Sequence, residues 1–516
     1  MLQPRSAQDG KENRTRRSSP FAAAKDSMEK VFYYSTNNKS ERADFETALL
    51  NGMASNYGLY MLARKDIPKL TPAEIYGMKG KPYADIAFDV LNPFIGAEIP
   101  EEKLRQILND AYSETVIPTK IQNVWGRAHI MWLTQGPTYS FKDYAARFYA
   151  RCLDHFLEKR GERKTVIVAT SGDTGGAIAD ALHGLKNVDV IVLYPKGEVS
   201  PGQRRQMTVL GGNVHAFEVN GDFDVCQALA KLLIADVEFQ RELFNGQKCS
   251  FTSANSISIG RLLPQAVYPF FAYSRTFGYP GDEMYASPPS GNFGDMMGTV
   301  IAKEMGLPIP RIICGVNANI TFPRFMNTGQ YIVGKTMKSP SSAMRVSHPS
   351  NVARAFDFYN GHIYDERGPD GKVIKEGIID IMPDMDAMHR DIYSTSIDDN
   401  LCYETIRKVY ERFGIILEPH GAVGWAAMER MFPNAAIDKP FVMVYETADP
   451  GKLRDEVFEA LKIRPEPPPR MKAQEGMPEI INLISSAPDT GKDEKLILSS
   501  AQIAEAKEKI TKLFSH

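Results

Sequence analysis

The chain has 516 residues, 43% hydrophobic and 24% charged, with 61 Lys and Arg against 63 Asp and Glu. At roughly 150 residues per domain this is about three globular domains, and the composition excludes a collagen, a disordered chain and a coiled-coil rod. A net charge of −2 gives no reason to expect nucleic acid or an anionic membrane as the partner.

Five scattered cysteines without a CxxC pair argue against a disulfide framework or a thiolate zinc site. The nine histidines show no HExxH spacing, so no metal is expected. No apolar run approaches the ~18 residues of a membrane helix, and the N-terminus lacks the apolar stretch of a secretory signal. A reducing, cytoplasmic setting is expected.

Residues 1–28 read as a disordered basic tail, because residues 1–27 hold six basic and three acidic residues and no apolar periodicity. A mitochondrial presequence is the sharper alternative, with Asp9 and Glu12 against it. Glu41 to Asn51 reads as an amphipathic helix ended by Gly52. Lys164–Thr170 reads as a buried strand, followed by a helical run from Gly176 to Leu185 and a strand from Val188 to Tyr194. A further strand is expected at Asn213–Val219. Strands recur near Tyr285, at Arg311–Val316 and at Phe441–Tyr445. This β-loop-α-β order is that of a parallel α/β sheet. Pro465, Pro467, Pro468 and Pro469 make a stiff linker, and Ser499–Phe514 reads as a Ser-capped terminal helix.

Gly329-Gln-Tyr-Ile-Val-Gly334-Lys335-Thr336 matches the phosphate-binding pattern GxxxxGK[ST]. Such a loop needs a buried strand before it and a helix after it. Here Met326-Asn-Thr precedes it and Pro340 interrupts any helix begun at Lys335. A nucleotide-binding loop is therefore not expected.

Three other segments carry chemistry. In Leu133-Thr-Gln-Gly-Pro-Thr138-Tyr-Ser-Phe141-Lys142-Asp143 a lysine sits in an apolar, aromatic stretch. Burial lowers a lysine pKa, and Schiff-base chemistry needs the neutral amine. A snorkelling surface lysine at a helix start is the plainer alternative. Ala169-Thr-Ser171-Gly172-Asp173-Thr174-Gly175 joins a strand to a helix, and its hydroxyls and glycines suit a carboxylate at a helix N-terminus. A simple capped turn is the alternative. Pro289-Ser290-Gly291-Asn292-Phe293-Gly294-Asp295 precedes a helix from Met296 to Met305 and suits a bound phosphate. A lysine, a carboxylate turn and a phosphate cradle together fit pyridoxal phosphate (PLP) acting on an amino acid.

With these motifs the chain resembles the threonine synthases of the long bacterial and fungal type, from about Met28 to about Pro465. Tyr33-Tyr-Ser-Thr36, Ala43 to Gly52, Gly136-Pro-Thr to Asp143, Ser171 to Gly175, Val199-Ser-Pro201, Gln206-Met-Thr208, Gly221-Asp-Phe-Asp224, Pro289 to Asp295, Asn327-Thr-Gly329 and Pro349-Ser-Asn351 follow in the family's order. The resemblance implies an α/β PLP-dependent fold type II (tryptophan synthase β-like), with two open parallel-rich sheets, flanking helices and an N-terminal segment. It implies a lead domain at 29–125 and a large PLP domain at 126–159 and 251–464. A small mobile α/β domain is expected at 160–250, with the linker and terminal helix at 465–516.

It further implies that Lys142 holds PLP and moves protons, with Phe141, Ser290, Gly291, Asn292, Phe293, Gly294, Asp295 and Thr447 holding the cofactor. Thr447 would meet the pyridine nitrogen. Thr138, Ser171, Gly172, Asp173, Thr174, Asn255 and Arg261 would bind substrate. The implied reaction converts O-phosphohomoserine and water to threonine and phosphate.

Several motifs depart from the family's. Its Ser-Thr-Ala-His-Pro is Glu446-Thr447-Ala448-Asp449-Pro450 here, and its Pro-His-Thr-Ala-Val-Gly is Pro419-His420-Gly421-Ala422-Val423-Gly424. Ser258-Ile259 replaces Asn-Trp, Arg345 replaces Asp, and Ile320 also replaces Asp. A paralogue that eliminates or replaces on a different amino acid, or a PLP-binding protein without catalysis, are the alternatives. The changed charges at Asp449 and Arg345 are where these readings part.

Overall fold

The computed structural model describes residues 30–368, 371, 373–433, 441–491, 494 and 496–514. The basic tail read at 1–28 lies outside them. The first elements form a three-stranded antiparallel sheet, with Tyr33–Ser35 between Asn38–Ala43 and Tyr60–Met61. The helix expected from Glu41 begins only at Phe45. Glu41 to Ala43 pair as strand instead, and Asp44 accepts the Thr47 N–H as an N-cap, which fixes the later start.

Two larger sheets follow. Buried β-branched runs such as Thr165-Val-Ile-Val168 form strands covered on both faces, as parallel strands require. One sheet has the order Ile392–Ser396, Ile312–Val316, Met284–Ser287, Phe441–Glu446, Ala128–Trp132, Lys120–Trp125. Its neighbours are parallel except for the last pair, an antiparallel hairpin. The second sheet is wholly parallel, in the order Asn482–Ile484, Val214–Val219, Val188–Pro195, Arg163–Ala169, Cys249–Ser253.

The C-terminal stretch thus returns to the second sheet. Asn482–Ile484 adds its edge strand, and the helix Ser500–Phe514, capped by Ser499, packs Ala506 and Ile510 into its core. The helix Lys142–Arg160 follows the Ala128–Trp132 strand of the first sheet in the chain and leads to the Arg163–Ala169 strand of the second. Its Tyr144, Phe148, Tyr149 and Phe156 are fully buried.

The loops after Ser287, Glu446 and Ala169 leave the carboxyl ends of their strands, where open α/β sheets bind ligands. Gly329–Thr336 follows the helix Thr321–Thr328 rather than a strand, and no helix starts at Lys335, so it lacks the context of a nucleotide loop. Among the described residues no helix is long and apolar enough to cross a membrane, and no cluster of His, Cys, Asp and Glu could hold a metal ion.

Candidate active site

Lys142 is the first residue of the helix Lys142–Arg160. The preceding turn is fixed from both sides. Thr138 donates its N–H and its hydroxyl to Asp143, at 2.8 and 2.6 Å. Phe141 N–H donates to the Thr447 carbonyl at 2.9 Å, and Ser140 and Ala448 form an antiparallel bridge. The lysine motif and the segment after Glu446 are therefore laid side by side, which brings Thr447 to the same cavity as Lys142.

The Lys142 ammonium lies 4.1 Å from the centre of the Phe141 ring. Burial and the Arg261 guanidinium bring its pKa down to about 8, against the pull of Asp295 and Asp173. An amine so tuned is available uncharged near neutral pH, as Schiff-base formation requires.

The opposite wall is the loop from Pro289 into the helix Gly294–Glu304. Phe293 takes a left-handed conformation (φ +62°) at the helix cap, an unfavourable geometry for a bulky residue held by its surroundings. Asn292 accepts the Ser350 N–H on its side chain, and its carbonyl accepts the Asn351 side-chain N–H, so the loop is sewn to the Pro349-Ser-Asn351 segment. A Cβ at Gly291 would lie 2.9 Å from the Ala343 carbonyl and one at Gly294 2.8 Å from Gln265, so only glycine lets this wall close. Asp295 is 3% exposed, and one carboxylate oxygen has no partner. Burial pushes Asp295 up to about 6, while Lys142 and the Met296 N–H work the other way.

The structure gathers Phe141, Lys142, Asp173, Arg261, Gly291 to Asp295 and Thr447 around one cavity. The other named residues stand outside its lining. Thr138 is engaged as above, and its carbonyl accepts from Lys452 and Gln206. Asn255 bridges both backbone groups of Ala169. The Ser290 hydroxyl donates to Pro288. Ser171 and Gly172 lead into the helix Asp173–Leu182, whose first turn holds Thr174, and the Thr170 hydroxyl accepts the N–H groups of Gly172 and Gly175. Asp173 accepts from Gln203 at 2.9 Å and pairs with Lys452.

Gln265, Met344 and His420 also line the cavity. Gln265 was discernible as a lone polar residue in the apolar run Leu262-Leu-Pro-Gln-Ala-Val267, whereas Met344 carried no such mark. His420 accepts the Ala343 N–H on Nε2, so its hydrogen sits on Nδ1, 2.5 Å from Glu418.

The departures from motif fall in different places. Asp449 accepts the Gly451 N–H and caps the turn Pro450–Lys452, outside the cavity lining. Ile320 is 40% exposed. Ile259 is in the core. Arg345 lines an adjoining cavity with Lys231, Arg367 and Asp365 and donates to the Ser339 carbonyl.

These residues fit pyridoxal phosphate. The amine is at hand, an 11-residue helix points its N-terminus at the cavity, and Thr447 offers a hydroxyl. The comparisons agree. A threonine synthase N-terminus family model matches residues 32–112, and a pyridoxal-phosphate dependent enzyme model matches residues 133–378. The chain is 34% identical to the threonine synthase of Escherichia coli over 426 residues, 82% of this chain and 90% of that one. To that of Schizosaccharomyces pombe it is 32% identical over 467 residues, covering 84% and 89%. The crystal structure of PLP-bound threonine synthase from Brucella melitensis superposes with a TM-score of 0.80 at 29% identity, over 94% of this chain and 100% of the other. For the Escherichia coli structure the TM-score is 0.78 at 30% identity, over 94% and 100%. With the cavity of Lys142 and Thr447 in place on that fold, the chain belongs to the threonine synthase family of PLP-dependent enzymes.

Proposed function

We propose that the protein converts O-phosphohomoserine and water to threonine and inorganic phosphate. The observation that carries this reading is the convergence of Lys142, the Gly291–Asp295 loop and Thr447 on one cavity. Bound there, PLP supplies an electron sink for protons leaving carbon.

The chain supplies the rest. Lys142 holds the cofactor through Nζ and, once freed, moves protons at that atom. A pKa of about 8 lets it serve as both acid and base near neutral pH. The backbone N–H groups at the start of the helix Gly294–Glu304 bind the cofactor phosphate, and the Thr447 hydroxyl meets the ring nitrogen. The Ser171–Thr174 turn takes the substrate carboxylate. Asp173 would repel that carboxylate if left alone, and the Lys452 ammonium 2.6 Å away neutralises it. Arg261 adds a buried positive charge facing the anionic groups. Closure of the second sheet over the first would exclude water before elimination and admit one molecule afterwards. The five cysteines are free thiols, which suits a cytoplasmic setting.

Arg345 favours a second reading, a paralogue with a different amino-acid substrate, because it places a cation in the cavity next door. The two are separated by incubating PLP-loaded protein with O-phosphohomoserine. Equal amounts of threonine and phosphate support the first. Phosphate or 2-oxobutyrate without threonine overturns it in favour of the second. K142A should abolish both products.

A further inference from the structure

Behind Thr447 lie two carboxyl groups that the reaction above does not use. Glu418 and Glu446 are both 0% exposed. Glu418 caps the helix Pro419–Met431 and collects four donors. These are the N–H groups of His420 and Gly421 at 2.7 and 3.0 Å, the His420 ring at 2.5 Å, and the Thr447 hydroxyl at 3.4 Å. Glu446 receives one, the Glu418 N–H at 2.7 Å, and its other oxygen has no partner. Gly421 makes the room, since a Cβ there would lie 1.5 Å from that free oxygen.

Among the described residues no lysine or arginine side chain hydrogen-bonds to either group. The titratable groups around them are His420, Asp449 and Cys402. Two buried carboxyls this close cannot both ionise without a counter-charge, and the proton goes to the one with fewer donors. Burial and the Glu418 charge both push Glu446 well above the ordinary carboxylate range.

We propose that Glu446 is a proton-carrying positioning residue that, by staying neutral, leaves Glu418 as the single negative charge behind Thr447. The Thr447 hydroxyl lies 3.4 Å from Glu418 and lines the cavity, so it is the link between that charge and the cofactor ring. An ionised Glu446 would double the charge at that end of the cavity. This inference rests on the assignment of Thr447 to the cofactor ring nitrogen.

The test uses the PLP-loaded protein. Infrared difference spectra at pH 8 between wild type and E446Q should contain the carbonyl stretch of a protonated carboxylic acid, and its absence overturns the proposal. Absorbance and fluorescence of the bound cofactor are then followed against pH. T447V should shift the profile, E418Q should shift it in the same direction, and E446Q should reproduce the wild type. An E446Q shift as large as that of E418Q overturns the proposal, because Glu446 would then carry the charge. An unshifted T447V overturns the Thr447 assignment, and the infrared band still reports separately on Glu446. If E446Q does not fold, the G421A/E446S double variant, with an alanine methyl in the space of the carboxyl, gives the same comparisons.

Discussion

The Lys452 ammonium lies 2.6 Å from the Asp173 carboxylate, with side-chain exposures of 0% and 4%. Lys452 belongs to the turn after the large sheet's Phe441–Glu446 strand, and Asp173 opens the helix Asp173–Leu182 that follows the second sheet's Arg163–Ala169 strand. Lys452 also donates to the Thr138 carbonyl in the lysine motif, at 2.7 Å. One ammonium thus joins both sheets and the segment that carries Lys142.

Breaking that pair from one side leaves a buried, uncompensated charge, which costs about 3–5 kcal/mol. K452M should lose stability of this order in urea unfolding, and K452M/D173N should lose less than the sum of the single variants. Burial opposes ionisation of Asp173, and Lys452 and Gln203 outweigh it, holding the carboxyl below its usual range. The folded value lies below the unfolded one, so the stability is present above about pH 4 and is lost as pH falls through the folded value. K452M should flatten that acid limb. Simple additivity of the two variants would show that the pair is not coupled.

The pKa of Lys142, brought down to about 8 by burial and Arg261, sets the pH at which the free amine is available. Mixing PLP with cofactor-free protein across pH should give an attachment rate with a midpoint near that value. R261M removes a positive neighbour and should move the midpoint upward. A midpoint unchanged in R261M would remove Arg261 from this role.

Asp295 is pushed up to about 6 by burial. Between about pH 4 and that value the folded protein holds a proton that the unfolded chain has released, so stability falls as pH rises through this window. Above it the buried carboxylate is a cost. D295N should therefore stabilise the cofactor-free protein at pH 8 by on the order of 1–3 kcal/mol, with a smaller gain at pH 4. Urea unfolding at the two pH values measures this, and a destabilised D295N at pH 8 would contradict it.

The Glu446 carboxyl occupies the space beside Gly421. G421A should cost about 1–3 kcal/mol by overpacking. The shorter side chain of E446S should make the same alanine nearly neutral. Thermal melts of the four proteins give the coupling directly, and equal costs of G421A in both backgrounds would refute it.

The pattern of buried strands and small-residue loops was legible because each is local. Thr165-Val-Ile-Val168 reads as a covered strand, and Pro289–Asp295 as a small-residue loop feeding a helix, without knowledge of neighbours. The helix start was misread at Glu41 because apolar spacing outweighed the cap at Asp44, while strand pairing with Tyr33–Ser35 is invisible locally. Thr138 and Asn255, expected at substrate, are seen to brace Asp143 and Ala169. A hydroxyl or amide in a motif looks the same whether it faces a ligand or holds the loop that does.

The chain's sequence alone determined the alternation of strands and helices, the lysine motif, the small-residue Pro289–Asp295 loop and the resemblance they carry. Only the tertiary structure decided how the charges are matched. It gave Asp173 to Lys452, turned Asp449 into a cap, and set Glu446 against Gly421 and Glu418. Local periodicity reports which residues are buried. The partner of a buried charge is chosen by chain segments far apart in sequence, and that partner decides whether the charge is held or neutralised.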